Sequence, residues 1–161
     1  MSDANLLAPA PAERAQSAAV LTFYTNVEHR LHYACRVVRK ARAAGLSVLT
    51  FAPDTEHLGR FDAALWTFSA LEFLPHVYAD SPLAPQTPIL LAANAGRAPA
   101  RDLLLYLGDQ IPADFAALFA RFARVVEVVS RDEDDRACGR ARFKAYRDAG
   151  LTPVVHDAGT E

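Results

Sequence analysis

The fold class is decided by one stretch, AVLTFYTNVEHRLHYACRVVRKARAAGLSVLTF, at residues 19–51. Its two ends, Ala19–Tyr24 and Leu46–Phe51, are short apolar runs typical of buried strands. Between them, apolar residues recur at the helical spacing i, i+3, i+4, i+7 over about residues 28–44, with Asn26 as the expected cap. A strand, a helix and a strand within this length predict a βαβ unit with two parallel strands.

The rest of the chain continues this alternation. Further strands are predicted at residues 71–76, 88–93, 103–107, 124–129 and 151–155, and further helices at about 55–69, from Pro112 onward and at 132–149. No internal repeat or second domain is recognisable. The sequence therefore predicts an α/β fold of three layers, with a mainly parallel sheet flanked by helices.

Composition and charge narrow the class of protein. Of the 161 residues, 52 % are apolar and 22 % are charged, which is typical of a globular domain. The formal net charge of −2 provides no global attraction to nucleic acid or to an anionic membrane. Cys35 and Cys138 lie far apart on predicted helices and favour a reducing compartment over a disulfide scaffold.

The ends of the chain are predicted to lie outside the folded domain. Residues 1–18 are rich in Ala and Pro and are expected to form a mobile tail, residues 19–156 a single domain, and residues 157–161 a C-terminal tail. The N-terminal residues lack the basic and apolar regions of a secretory signal. No stretch approaches the roughly 20 apolar residues that span a bilayer. We therefore expect a cytoplasmic protein without membrane contact.

Residues 61–76, FDAALWTFSALEFLPH, contain the single tryptophan. They continue a predicted helix that is capped by Asp54 or Thr55 and runs to about Ser69. Its predicted buried stripe consists of Leu58, Phe61, Leu65 and Phe68. Trp66 lies roughly 120° from the centre of that stripe at the helical period. It therefore either packs under a neighbouring element or contacts a partner.

Motifs for catalysis, nucleotides and metals are absent from the sequence. The seven glycines form neither G-x-G-x-x-G nor G-x-x-x-x-G-K-[ST], so the predicted fold is Rossmann-like without a nucleotide-binding loop. His29 and His32 share one helix face without a third metal ligand nearby, and there is no C-x-x-C. No acid, base and nucleophile converge on one segment. An enzyme is therefore the less favoured class, and we expect no cofactor.

The predicted last helix carries a row of cations on one side. The row comprises Arg136, Arg140, Lys144 and Arg147, all within roughly 40° of Arg140 at the helical period. Phe143 lies at its edge. The opposite face, expected to pack on the sheet, holds the small residues Cys138, Ala141, Ala145 and Ala149. Arg142 and Tyr146 fall nearer the packed side.

This basic row has three interpretations. It forms a solvated face whose alkyl stems cover the core, or it binds an acidic peptide that ends in a hydrophobic residue and a free carboxylate. Alternatively, it binds a nucleic-acid strand through phosphates and a base stacked on Phe143. One small basic row on an acidic protein favours the peptide.

Several segments, in order and spacing, are similar to one known family. They are Thr22–Tyr24, Lys40–Leu49, Leu65-Trp66, Phe73-x-Pro75-His76, Arg101–Leu103 and Arg140-x-Arg142-Phe143-Lys144-x-Tyr146-Arg147-x-x-Gly150. Together they span about Leu21 to Thr152 and resemble the chi subunit of bacterial DNA polymerase III. Phe143 stands where the family pattern has a tyrosine.

The resemblance implies a non-catalytic clamp-loader accessory subunit that acts in DNA replication and contacts DNA only indirectly. It implies that the last helix receives the acidic C-terminal tail of single-stranded-DNA-binding protein. The residues implied for this tail site are Val129, Arg136, Arg140, Phe143, Lys144 and Arg147. The resemblance also implies a surface for the psi subunit of the clamp loader, formed by Leu65, Trp66, Phe73 and Pro75.

Two hypotheses from other classes stay open at this point. An α/β enzyme that has lost its recognisable nucleotide motif would bind a labelled nucleotide. A direct single-stranded nucleic-acid binder would use the same basic row and show a steep dependence on salt.

Overall fold

Seven parallel strands form one sheet in the computed structural model, which describes residues 19–68 and 72–160. The strands are β1 (Val20–Val27), β2 (Val48–Phe51), β3 (His76–Tyr78), β4 (Ile89–Ala92), β5 (Leu103–Tyr106), β6 (Arg124–Ser130) and β7 (Val154–Asp157). The helices are α1 (Arg30–Ala43), α2 (Thr55–Thr67), α3 (Phe115–Phe119) and α4 (Glu133–Asp148), with 3-10 turns at Ala84–Gln86, Ala95–Arg97 and Ala158–Thr160. The predicted α/β class with a parallel, helix-flanked sheet is confirmed.

The strand order explains why the middle of the sheet is so apolar. It runs β3-β4-β2-β5-β6-β1-β7, with α1 and α2 packed on one face and α3 and α4 on the other. Every residue of β2, β4, β5 and β6 is buried, as expected for parallel strands that helices cover on both faces. The first strand lies between the last two, so β7 forms one edge of the sheet and β3 the other.

Of the four α-helices in residues 19–68 and 72–160, two begin with a side-chain cap. Asp54 Oδ1 accepts hydrogen bonds from the backbone N–H groups of Glu56 and His57 at 2.9 and 3.4 Å, and Asp132 caps α4 in the same way. The expected cap of α1 at Asn26 is wrong. Asn26 instead has a φ of 62° near the end of β1, and α1 begins four residues later.

Two further element boundaries differ from the predictions. The helix expected to open at Pro112 begins at Phe115, after Asp114 turns the chain with a φ of 53°. The strand expected over residues 71–76 begins at His76 instead, because the residues that pair with β4 are His76–Tyr78. The predicted end of α2 near Ser69 lies outside the described residues.

The packed face of α4 also differs from the prediction. Gly139, Arg142 and Tyr146 are buried against the sheet, whereas Ala141 and Ala149 are exposed. A fully buried carboxylate on β6, Glu127, is the physical reason, since it pairs with the arginine and the tyrosine. A large charged side chain therefore occupies the position that small residues were expected to fill.

Of the two predicted limits of the domain, only the C-terminal one lies within the described residues. Strand β7 continues through Asp157, and the following turn, Ala158–Thr160, contacts β1, with Ala158 packed on the core. The expected tail at residues 1–18 lies outside the described residues. None of the helices in residues 19–68 and 72–160 combines the length and apolar character needed to cross a membrane.

Candidate functional site

A groove of about 540 Å³ lies between α4 and the β1–β7 end of the sheet. Its lining comes from three strands and one helix: Phe23, Thr25, Asn26, Val129, Arg136, Gly139, Arg140, Phe143, Val155 and Asp157. The residues predicted for the tail site that line it are Val129, Arg136, Arg140 and Phe143. Four of the six predicted residues are thus brought together in one cavity.

The wall of the groove on the helix side is apolar and closely packed. A Cβ atom at Gly139 would lie 2.8 Å from Val129 Cγ2, so the glycine allows α4 to approach β6. The ring of Phe143 meets the ring of Phe23 edge to face, with centroids 5.3 Å apart and planes at 74°. Phe143 is partly exposed above this contact, which leaves an aromatic surface for an apolar group.

Two of the four cations in the basic row line the groove, and two lie outside it. Arg136 and Arg140 line the groove, are exposed, and make no ion pair within the described part of the chain. Lys144 Nζ lies 2.8 Å from Asp148 Oδ2 in an exposed pair on the same helix, and the guanidinium of Arg147 lies 6.0 Å from the centroid of the Phe143 ring. The groove therefore offers two arginines to an anion.

The opposite end of the groove is negative. Asp157 Oδ1 accepts hydrogen bonds from the backbone N–H of Gly159 at 2.8 Å and from Asn26 Nδ2 at 3.2 Å. These bonds stabilise the carboxylate and lower the pKa of Asp157. Arg131 Nε in turn donates to Asn26 Oδ1 at 3.1 Å. A ligand in the groove meets arginines on one side and a carboxylate at the end of β7.

Helix α4 is held to the sheet by a buried ionic network. Arg142 Nε donates to Glu127 Oε1 at 2.6 Å, Tyr146 donates its hydroxyl to Glu127 Oε2, and Arg142 Nη1 donates to the backbone oxygen of Asp109 at 2.8 Å. Burial raises the pKa of Glu127, although Arg142 and Tyr146 oppose this rise. Burial and the nearby carboxylate raise the pKa of Tyr146. The network fixes the rotation of α4, and therefore the side that faces the groove.

A second arginine binds backbone oxygens at the carboxyl ends of β5 and β6. Arg30, on α1, donates to the backbone oxygens of Val128 and Gly108 at 2.8 and 3.0 Å and pairs with Asp109 Oδ1 at 2.8 Å. It also lies 3.7 Å from Asp135 Oδ1 at the start of α4. Both arginines thus contact Asp109, just beyond the carboxyl end of β5, and tie this end of the sheet to α1 and α4.

The residues predicted for the psi surface separate into exposed and buried positions. Trp66 is 58 % exposed, Phe73 is 68 % exposed and Pro75 is also exposed. The tryptophan ring centroid lies 5.8 Å from that of Phe73 and 4.7 Å from that of His76, so the indole packs against both rings. Leu65, in contrast, is 4 % exposed and packs in the core. The exposed residues Trp66, Phe73 and Pro75 together form the aromatic patch.

Sequence reasoning missed the groove residues from β1 and β7. Phe23 pairs with Val155 and Thr25 with Asp157, so these four side chains lie on the α4 side of the sheet. Strand periodicity indicates that Phe23 and Thr25 share a face. No local signal indicates that β7 lies beside β1.

The cysteines and possible metal ligands do not add a second site. Cys35 is fully buried, and burial raises its pKa to about 12, which makes it an inert thiol. Within the described residues, no three His, Cys, Asp or Glu side chains are placed to hold a metal ion.

Comparison with known proteins assigns the family. Residues 19–154 match the model of the family described as DNA polymerase III chi subunit, HolC, and the chain belongs to that family. It is 31 % identical over 127 residues to DNA polymerase III subunit chi of Pseudomonas aeruginosa PAO1, which covers 79 % of this chain and 85 % of the relative. It is 32 % identical over 118 residues to the subunit of the same name from Escherichia coli K12, which covers 73 % and 78 %. The family places the chain among accessory proteins of DNA replication.

Solved structures confirm the fold alone. The C-terminal domain of S. cerevisiae Dbp5 superimposes with a TM-score of 0.52 at 10 % identity, covering 88 % of this chain and 90 % of that chain. A second structure, of the C-terminal domain of the DEAD-box protein Dbp5, gives a TM-score of 0.51 at 13 % identity, covering 86 % and 90 %. Such low identities carry no information about function.

Proposed function

We propose that this chain is a non-catalytic accessory subunit of the bacterial clamp loader that binds the acidic C-terminal tail of single-stranded-DNA-binding protein in the groove. The observation that carries the proposal is that two arginines without ion-pair partners in the described chain, Arg136 and Arg140, line the same groove as the partly exposed ring of Phe143. Family membership supports the same function.

The chemistry of the groove suits a peptide that ends in phenylalanine. Guanidinium groups bind carboxylates through charge-assisted hydrogen bonds, often two at a time. The terminal ring would lie against Phe143 and Val129, which provide an aromatic and an aliphatic surface. Acidic side chains and the terminal carboxylate would then face Arg136 and Arg140. Lys144 and Arg147, which lie outside the lining, would act through their long-range charge.

The aromatic patch is the second half of the proposal. Exposed tryptophan and phenylalanine side chains in contact with one another are typical of the energetic centre of a protein interface. The patch lies before β3, at the opposite edge of the sheet from the groove. We assign it to the psi subunit of the clamp loader. The two surfaces would then allow the chain to bridge the loader and single-stranded-DNA-binding protein.

The experiment is fluorescence anisotropy with a labelled peptide that copies the C-terminus of single-stranded-DNA-binding protein from the same organism. The matched control is the same peptide without its final phenylalanine. Saturable binding of the first peptide alone is the expected result, since the control keeps the acidic charge and loses the ring.

Two results would overturn the proposal. Equal binding of both peptides would mean that the basic row attracts acidic chains without a specific groove. No binding of either peptide to the folded protein would remove the peptide function, and titrations with a labelled nucleotide and with bare single-stranded DNA at two salt concentrations would then test the remaining hypotheses.

A further inference from the structure

Strand β7 forms one edge of the sheet. It pairs with β1 along Val154–Asp157, and no other strand within residues 19–68 and 72–160 pairs with its outer row of backbone N–H and C=O groups. Val154 and Val155, which point to opposite faces, are 50 % and 52 % exposed. Neither face of this strand is therefore fully covered.

Proteins usually protect such an edge against pairing with another chain. Common protections are a very short strand, a proline, a lysine or a bulge. The other edge strand, β3, has three residues and directly follows Pro75. Strand β7, with the sequence VVHD, has four residues and directly follows Pro153, so the two edges are protected to a similar extent. The feature that distinguishes β7 from β3 is that its residues Val155 and Asp157 also line the groove.

We propose that β7 pairs with the extended segment of the acidic peptide that immediately precedes its C-terminal hydrophobic residue, so that the peptide adds an eighth strand to the sheet. This inference rests on the proposed function, because it takes the same peptide as the occupant of the groove. Backbone pairing of this kind supplies affinity, while pockets for alternate side chains supply specificity.

Continuity with the groove supports this mode of binding. Val155 and Asp157 line the groove as well as forming the edge, so a peptide whose last residue lies against Phe143 passes β7 as it leaves. Side chains at every second position of an added strand would lie on the same face of the sheet as Arg136 and Arg140. That face is where acidic side chains find opposite charge.

The length of β7 sets the length of the paired segment. Four residues at about 3.3 Å each give a ladder of roughly 13 Å. The segment therefore comprises about four residues upstream of the terminal residue. Residues further upstream would contribute little to affinity.

The test uses a set of labelled ten-residue acidic peptides that end in phenylalanine, each with one backbone amide methylated. Methylation removes a hydrogen-bond donor without changing the net charge or the last side chain, and the protein itself is unchanged. We expect losses of affinity of about tenfold at alternate positions of the segment and little change between them, since alternate amides face β7. Hydrogen exchange of the β7 amides should slow when the unmodified peptide is bound.

Three results would overturn the inference. Methylation without effect at every position would show that the peptide binds through its side chains and carboxylate alone. Equal losses at every position would indicate a change in peptide conformation and not a ladder. Slow exchange in β7 that increases with protein concentration, without peptide, would show that a second copy of the chain occupies the edge. The peptide lacking its final phenylalanine is run in parallel, so that failure of the groove itself is recognised separately.

Discussion

Arg140 tests the groove at the scale of a single residue. It lines the groove and makes no ion pair within residues 19–68 and 72–160. Arg140→Ala is expected to weaken binding of the acidic peptide by about tenfold, which corresponds to the loss of one charge-assisted hydrogen bond. Anisotropy gives the affinity, and thermal unfolding should show an unchanged midpoint.

Lys144→Ala is the matched control for this change. It removes the same charge from the same helix, but Lys144 is paired with Asp148 and does not line the groove. Its effect on affinity should stay below about threefold, as expected for a screened, exposed charge. Equal losses in the two variants would indicate general attraction and would argue against a direct contact by Arg140.

Asp157 places a negative charge in a groove that is proposed to bind an acidic ligand. Asp157→Asn removes the charge while keeping an oxygen that accepts the hydrogen bond from Gly159 N. We therefore expect the affinity to rise by about two- to threefold at low salt and less at high salt, because the repulsion is screened. Anisotropy at two salt concentrations checks this. An affinity that falls would show that the carboxylate contributes to binding through its hydrogen bonds.

His57 makes stability depend on pH. Burial and the nearby Arg30 lower the pKa of His57 from its usual 6.5, and its buried Nε2 has no hydrogen-bond partner among the described residues. Between 6.5 and the lowered pKa, the unfolded state binds more protons than the folded state, so the free energy of unfolding falls as the pH falls. His57→Gln should make the free energy of unfolding depend less on pH in this range.

Urea unfolding at about pH 7.5 and about pH 5.5 measures the effect, since the window lies below the unfolded pKa. His29→Gln, a change at an exposed histidine, is the control and should retain the wild-type dependence. If the His57→Gln variant also retained the wild-type pH dependence, protonation of a group other than His57 would be the cause of the stability loss.

At the scale of elements, the buried network under α4 is the most sensitive point. Arg142→Met leaves the carboxylate of Glu127 buried without its cation and should lower the free energy of unfolding by about 3–5 kcal/mol. Combining it with Glu127→Gln should recover much of this loss, because the uncompensated charge is removed. Urea unfolding of the two single variants and the double variant forms the cycle. Losses that simply add would contradict the coupling.

The elements themselves followed well from local patterns. Apolar runs and helical spacing predicted the α/β class, and side-chain caps predicted the starts of α2 and α4. The packed face of α4 did not follow, because Arg142 is buried by a partner on β6. Helical periodicity placed Arg142 nearer the packed side, but a charged residue is not expected in the core unless a partner from another element is known. The carboxylate of Glu127 lies within an otherwise apolar strand, VVEVV, and was the available signal.

The groove was predictable from one side only. The spacing on α4 and the family resemblance indicated Arg136, Arg140 and Phe143. The wall formed by Val155 and Asp157 depends on the strand order β6-β1-β7, which joins distant parts of the chain. Such pairings leave no trace in local periodicity, and the edge position of β7 was therefore beyond the sequence alone.

At the scale of the whole molecule, the two proposed surfaces lie at opposite edges of the sheet. Trp66→Ala should leave the affinity for the acidic peptide within about twofold, because the aromatic patch is remote from the groove. The same change should weaken binding of the psi subunit by about 30-fold or more, as expected for a central aromatic anchor. Titration calorimetry with each ligand checks both.

Ile111→Ala provides the control for this prediction, since Ile111 is an exposed apolar residue away from the patch. Its affinities for both ligands should match those of the unchanged protein. A Trp66→Ala variant that lost peptide binding would show that the two surfaces are coupled or that one has been misplaced.

The pairing of the first strand with the last two has a consequence for synthesis on the ribosome. Val20 pairs with Arg124 and Thr22 with Val154. Strand β1 therefore cannot complete its hydrogen bonds until the chain has been synthesised through β7. Contacts between such distant residues form late and slow folding. A nascent chain that has not yet released β7 lacks one wall of the groove. Competence to bind would thus be gained only after β7 has been synthesised, and a product that stops before β7 would not compete with the folded protein for its ligand.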